Sequence, residues 1–168
     1  MNRVHPTSVP EHSLLQRYSD SGAYVDCYAT EFSARASHAQ FVEAFYTTPL
    51  FKLERFLLGA VASCPSTDAQ AKELAQGQRE SFAAWQVESR ASNEVLLRAG
   101  RTRSWLMVAA SPGSRTRLLF GSAVLPKQST PSGHRHLGGG FRALLGFHKL
   151  YSRALLLSAR LRLSRQLT

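Results

Sequence analysis

The order of elements legible in this sequence predicts an α+β domain: one strand, two or three short helices, a run of antiparallel strands, then one long C-terminal helix. Three observations carry that prediction. Tyr24–Phe32 is dense in aromatic and β-compatible residues and follows Gly22. From Phe82 to Leu125 the apolar spacing becomes period two, which suits strands with one covered face. From Phe141 to about Leu163 it returns to steps of three and four, which suits a helix. A chain of 168 residues, 43% apolar, is the size of one domain and can bury a real core.

Taken in order, residues 1–22 are polar, with Pro6 and Pro10, and read as a flexible lead-in with one helical turn near Ser13–Tyr18. The domain proper is expected over 23–165. Tyr24–Phe32 alternates Tyr24, Asp26, Tyr28, Thr30 and Phe32 against Val25, Cys27, Ala29 and Glu31. Ser37 and Gln40 have capping-box spacing, so a helix should run from His38 to Tyr46, with Phe41, Val42 and Phe45 inward. Thr48-Pro49 restarts the chain into a second helix, Leu50 to Ala62, ended by Cys64-Pro65. Ser66 or Thr67 caps a third, Asp68 to Glu80, which should be exposed.

Phe82–Arg90 then alternates Trp85, Val87 and Ser89 against Gln86, Glu88 and Arg90, and Asn93–Ala99 sets Val95 and Leu97 against Leu96 and Arg98. Gly100-Arg101 can form a tight turn. Arg103–Ala110 is apolar on both faces, so alternation alone does not choose the side of Trp105 and Met107. Ser111-Pro112-Gly113-Ser114 signals a turn, and Arg115–Leu125 places Thr116, Leu118, Phe120 and Ser122 on one face. Residues 126–140, rich in Gly, Ser and Pro, read as a mobile loop. In the last helix, Phe147, Leu150, Ala154, Leu157 and Leu161 make one apolar stripe. Leu144, His148, Tyr151, Leu155 and Ala159 make its neighbour, and Arg142, Lys149, Arg153 and Arg160 share a flank.

The charge is asymmetric. Net +10 divides into eight basic and eleven acidic residues up to Glu94, then thirteen basic and no acidic ones from Val95 onward. Such a half can meet an anionic membrane or nucleic acid. Against nucleic acid, no zinc finger, helix-turn-helix or RNA-recognition signature is present, and the aromatics alternate into the core without interleaving with arginines. Seventeen of the 21 basic residues are Arg, a bias that a GC-rich genome produces without selection for binding. Phe141–Leu163 is interrupted by five cations, too many for a membrane span. The N-terminus lacks a signal-peptide apolar core, so a cytoplasmic location is the default expectation. Cys27 and Cys64 are expected to be reduced and partly buried. The sequence does not fix the oligomeric state.

The order of these elements resembles the START-like superfamily, also called helix-grip or polyketide-cyclase-like, and in particular an uncharacterised bacterial branch of it. The residues that carry the resemblance are YVDCYATEF at 24–32, FVEAFYTTPLFKLERFLLG at 41–59 and WQVESRASNEVLLRAGRTRSWLMVA at 85–109. RLLFGSAV at 117–124 and FRALLGFHKLYSRALL at 141–156 complete it. The superfamily commonly has six or seven strands, against five legible here. The resemblance implies a curved antiparallel sheet wrapped around the C-terminal helix, with an apolar cavity between them. The lining would then be Tyr24, Tyr28, Trp85, Val87, Val95, Leu97, Leu118 and Phe120, with Trp105 from the ambiguous strand and Leu144, His148, Tyr151 and Leu155 from the helix. The implied role is to bind or carry an apolar or amphipathic small molecule or lipid, with no cofactor and with the 126–140 loop as gate.

Two alternatives stand beside this. His148 with Asp26 could act as a general base in a small cyclase- or dehydratase-like enzyme, although a buried polar pair also serves structure alone. The basic half could instead contact anionic surfaces, including peripheral contact with a membrane. His134-Arg135-His136 has two metal-capable side chains but no further Cys, Asp or Glu nearby, fewer ligands than a zinc site needs. Gly138-Gly139-Gly140 lacks the Lys-Ser/Thr of a phosphate loop and reads as a hinge.

Overall fold

The computed structural model describes residues 3–53, 66–126 and 139–167, with side chains of the last helix from His148 onward. It is α+β. Seven antiparallel strands form one curved sheet, and a C-terminal helix lies across one face. In chain order the elements are β1 (His5–Pro6), α1 (Gln16–Asp20), β2 (Tyr24–Phe32), α2 (His38–Tyr46), a helical start at 49–53 and α3 (Asp68–Ala75). They continue with β3 (Ser81–Phe82), β4 (Trp85–Arg90), β5 (Glu94–Ala99), β6 (Thr102–Ser111), β7 (Arg115–Val124) and α4 (Gly139–Gln166). The strands lie in the order β1-β2-β7-β6-β5-β4-β3.

The strand count exceeds the five expected because two strands are only two residues long, too short to show a period. β1 pairs with β2 through His5↔Ala29 and Pro6↔Tyr28. β3 is cut from the predicted 82–90 strand by a turn at Ala83, whose φ is 50°, and folds back on β4.

The expected capping box forms, and Thr67, one of the two expected caps of α3, makes a second. Gln40 N donates to Ser37 Oγ at 3.2 Å while Ser37 N donates to Gln40 Oε1 at 2.8 Å, and Thr67 and Gln70 repeat the exchange at the start of α3. α3 stops at Ala75, before the expected Glu80. Gly77, at φ +74°, takes the left-handed position of a Schellman ending: its N–H meets Leu74 O, and Gln78 N meets Glu73 O. The second predicted helix is described only at 49–53, so its continuation and Cys64 lie outside the described residues.

A bulge separates Val87 from Ser89. Val87 pairs with Leu97 and Ser89 with Leu96, leaving Glu88 extra. The alternation therefore flips: Ser89, expected beside Trp85 and Val87, changes face, and Arg90 turns inward to donate to Leu74 O at 3.0 Å.

The sheet has two apolar faces. The inner one packs α2, α3 and α4 through Phe41, Phe45, Tyr46, Leu74, Leu97, Leu106, Leu118, Leu156 and Leu163. The outer one carries Leu96, Trp105, Leu119 and Ala123, covered by Leu15 and Tyr18 from the N-terminal segment. The expected flexible lead-in is thus a strap. Leu15 is fully buried, and Leu14 N donates to Glu94 Oε2 at 2.9 Å. Arg103 Nε lies 2.8 Å from the Tyr18 hydroxyl and 2.6 Å from Glu88 Oε2, and Tyr18 also bonds Glu88. Gly121 makes room for the strap: a Cβ there would stand 2.5 Å from Leu15 Cδ2 and 2.9 Å from Asp26 O.

Candidate functional site

β2 and β7 build the site. Their register sets Asp26 directly opposite Ser122 and Tyr28 opposite Phe120. Side chains alternate across a strand, so Tyr24, Asp26 and Tyr28 share the face that packs against α4. One row crosses the sheet from Asp26 to Ser122, Ser104, Leu97 and Val87. It is polar at the β2 end and apolar at the β4 end.

α4 brings His148 onto the polar end. Ser122 Oγ donates to Asp26 Oδ1 at 2.6 Å and lies 2.7 Å from His148 Nε2, and His148 Nε2 is 3.5 Å from Asp26 Oδ2. The Tyr24 and Tyr28 hydroxyls reach Asp26 Oδ2 at 3.5 and 3.4 Å, long and weak compared with the serine bond. The His148 ring packs edge-on to Tyr24, with centroids 6.5 Å apart. Arg153 lies over the Tyr28 ring at 5.4 Å. Ser104, next in the row, bonds the buried Tyr46 hydroxyl at 3.2 Å.

Proton arithmetic defines what this cluster can do. A serine hydroxyl has one proton. Given to the Asp26 carboxylate, it leaves the Ser122 oxygen to accept from His148 Nε2–H, which fixes the imidazole tautomer and turns Nδ1 into the free end. The order is Asp–Ser–His. In a hydrolase triad the histidine stands between serine and acid and takes the serine proton. Here Ser122 stands between the imidazole and the carboxylate and is not activated as a nucleophile. Burial and the neighbouring Asp26 charge raise the pKa of Tyr24, and burial raises that of Tyr28, so both phenols stay protonated donors at neutral pH.

The inner face is sealed at one end and half-open at the other. Tyr28, Phe120, Leu106 and Val95 form a buried row, and Leu97, Leu118 and Leu155 are buried with them. Tyr24, Trp85, Val87, His148 and Tyr151 are only half-buried. Trp85 Nε1 is buried and has no hydrogen-bond partner among the described residues.

Most expected lining residues therefore face α4 or pack against that cluster. Trp105 does not. It is fully buried on the opposite face, where it donates to Glu94 Oε2 at 2.6 Å beneath the strap. Its strand is apolar on both sides because both sides are covered, so alternation carried no parity. Leu106 is the inward residue instead. Ser122 was placed by alternation on the face of Leu118 and Phe120 but not paired with Asp26, which takes the β2–β7 register to show, and Ser104 and Tyr46 were not singled out by the sequence. Cys27 faces the outer cluster, and burial pushes its thiol up to about 12, far from a reactive thiolate.

The His134–His136 pair and the 127–138 part of the loop lie outside the described residues, as does the Leu144 side chain. Gly139 and Gly140 belong to the first turn of α4, and Gly138 lies outside the described residues. Among the described residues no three His, Cys, Asp or Glu side chains come together as a metal site, and no helix is long and apolar enough to cross a membrane. Comparison with protein-family models, with curated proteins and with solved structures gives no match.

Proposed function

We propose that this chain is a helix-grip, START-like protein that binds an amphipathic small molecule or lipid between the sheet and α4. The observation that carries this reading is the half-open end of the inner face. There the hydrogen-bonded Asp26–Ser122–His148 cluster stands at the β2 side, while half-buried Val87 and Trp85, whose Nε1 lacks a partner among the described residues, stand at the β4 side and Tyr151 packs from α4. Buried donors ordinarily have partners, and a pocket of apolar walls with a few convergent polar groups is the usual form of a small-molecule site.

The chemistry favours a neutral polar end on the ligand. The Asp26 carboxylate occupies the centre of the cluster and opposes a second anion. A hydroxyl, ketone or amide can accept from Trp85 Nε1, and a hydroxyl or amide N–H can donate to His148 Nδ1, without that repulsion. The test is competition for a fluorescent long-chain alcohol by the full-length protein. The unlabelled alcohol should compete better than the carboxylic acid of the same length. His148→Ala should weaken binding by roughly tenfold, the value of about 1.4 kcal/mol for a lost hydrogen bond to a buried group. Equal affinity for acid and alcohol, with no effect of His148→Ala, would contradict the assignment.

A second reading draws on the cluster itself. With Ser122 linking His148 to Asp26, the imidazole could move a proton at a bound carbonyl compound, as a cyclase or dehydratase requires. Turnover of such a compound, lost in both His148→Ala and Ser122→Ala while binding survives, would establish that reading over simple carriage.

A further inference from the structure

α4 exposes an apolar stripe. The helix buries Leu155, Leu156, Ala159 and Leu163 against the sheet and α2. On its opposite side Leu150, Leu157 and Leu161 are 68, 40 and 47% exposed. Their spacing of seven and four aligns them on one line about 17 Å long, with Ala154 between. Periodicity marks it as a second stripe beside the inward one, and the structure turns it to solvent. A groove of about 300 Å³, lined by Pro49, Leu161, Arg162 and Arg165, continues it toward the helical start at 49–53.

Cations stand on both sides of the leucines. Lys149, Arg153 and Arg160 follow one edge, Arg162 and Arg165 the other, and α4 contains no acidic residue. Arg162 is oriented by donating from Nε to Thr47 Oγ1 at 2.7 Å.

We propose that this face docks on an anionic phospholipid membrane surface, independently of what the inner face binds. An apolar line between two basic edges matches an interface that offers acyl chains beneath a layer of phosphates. A second copy of the chain fits poorly, because pairing two such helices would oppose basic edges with no acid anywhere after Glu94. A protein partner would need an acidic groove that receives a single convex helix. A membrane plane needs no groove. Docking would be peripheral, since α4 does not span.

The full-length protein should cosediment with vesicles of phosphatidylglycerol and phosphatidylcholine, but not with phosphatidylcholine alone. Binding should fall steeply toward about 1 M salt, where the screening length is only ~3 Å. Lys149→Gln with Arg165→Gln, both at exposed positions, should weaken it by roughly 30-fold. Leu150→Ser with Leu157→Ser and Leu161→Ser should lower it by about tenfold or more at low salt, with the helical circular dichroism unchanged. If the triple variant unfolds, Leu157→Ser alone with the wild-type salt series decides. Absence of binding to the anionic vesicles overturns the proposal. So does leucine-variant binding equal to wild type, which would indicate diffuse charge attraction. A dimer, or a complex with an acidic protein, that forms without vesicle binding and is lost in the leucine variant would assign the stripe to that occupant instead.

Discussion

Glu94 holds the outer face together with one carboxylate oxygen: Oε2 accepts from the backbone N–H of Leu14 and from Trp105 Nε1, in a setting where Glu94 is only 7% exposed. Removing the acceptor leaves two donors without partners. Glu94→Ala should therefore destabilise the protein by about 2–4 kcal/mol, measured by urea denaturation, and Trp105 emission should shift as the strap loosens. A loss below about 0.5 kcal/mol would show that the strap is not held this way. The same contact explains why Trp105 was misplaced from sequence. What settles its side is a residue eleven positions earlier and a cover, Leu15, ninety positions away. Asp26 and His148 were legible as inward residues, from strand alternation and helical phase respectively. Ser122 was legible on the same face as Leu118 and Phe120, but that it joins Asp26 to His148 became visible only through the β2–β7 register.

At the level of elements, local chemistry was read well where the signal was local. Both capping boxes and the Pro112–Ser114 turn lie within a few residues of sequence. The bulge at Glu88 and the two-residue strands were not legible, because each depends on a partner strand. α4 was found in the right place, and the stripe of His148, Tyr151 and Leu155 expected inward does face the sheet; what periodicity did not show is that the neighbouring stripe of Leu150, Leu157 and Leu161 is left exposed. α2 carries a testable titration. His38 donates to Leu106 O at 3.3 Å, and burial, with nearby Arg90, lowers its pKa to about 4. In the unfolded chain the imidazole protonates near its ordinary 6.5. Between these values the unfolded state takes up a proton that the fold refuses. Stability should therefore fall as pH drops through that window, by at most about 1.4 kcal/mol per pH unit, with no contribution above it. His38→Gln should flatten that slope in thermal melts between pH 7 and pH 4 (on the order of the same window); an unchanged slope would place the acid sensitivity elsewhere.

Across the whole molecule, one sheet is covered on both sides, by helices on its inner face and by the N-terminal strap on its outer face. On the inner face the residues at one end, Tyr24, Trp85, Val87, His148 and Tyr151, stay half-buried, and it is there that the proposed ligand is placed. The general architecture was legible because it rests on element order and periodicity. The site's chemistry was legible only in part, because it arises where residues about a hundred positions apart meet. The account's central claim is that this end holds a neutral amphipathic molecule. The most direct test is native mass spectrometry of freshly purified full-length protein, followed by organic extraction. A bound mass that extracts as a neutral long-chain or aromatic compound, and that is diminished in His148→Ala, is the predicted result. Protein that is apo as purified and takes up nothing from a panel of long-chain alcohols, ketones and amides would contradict it.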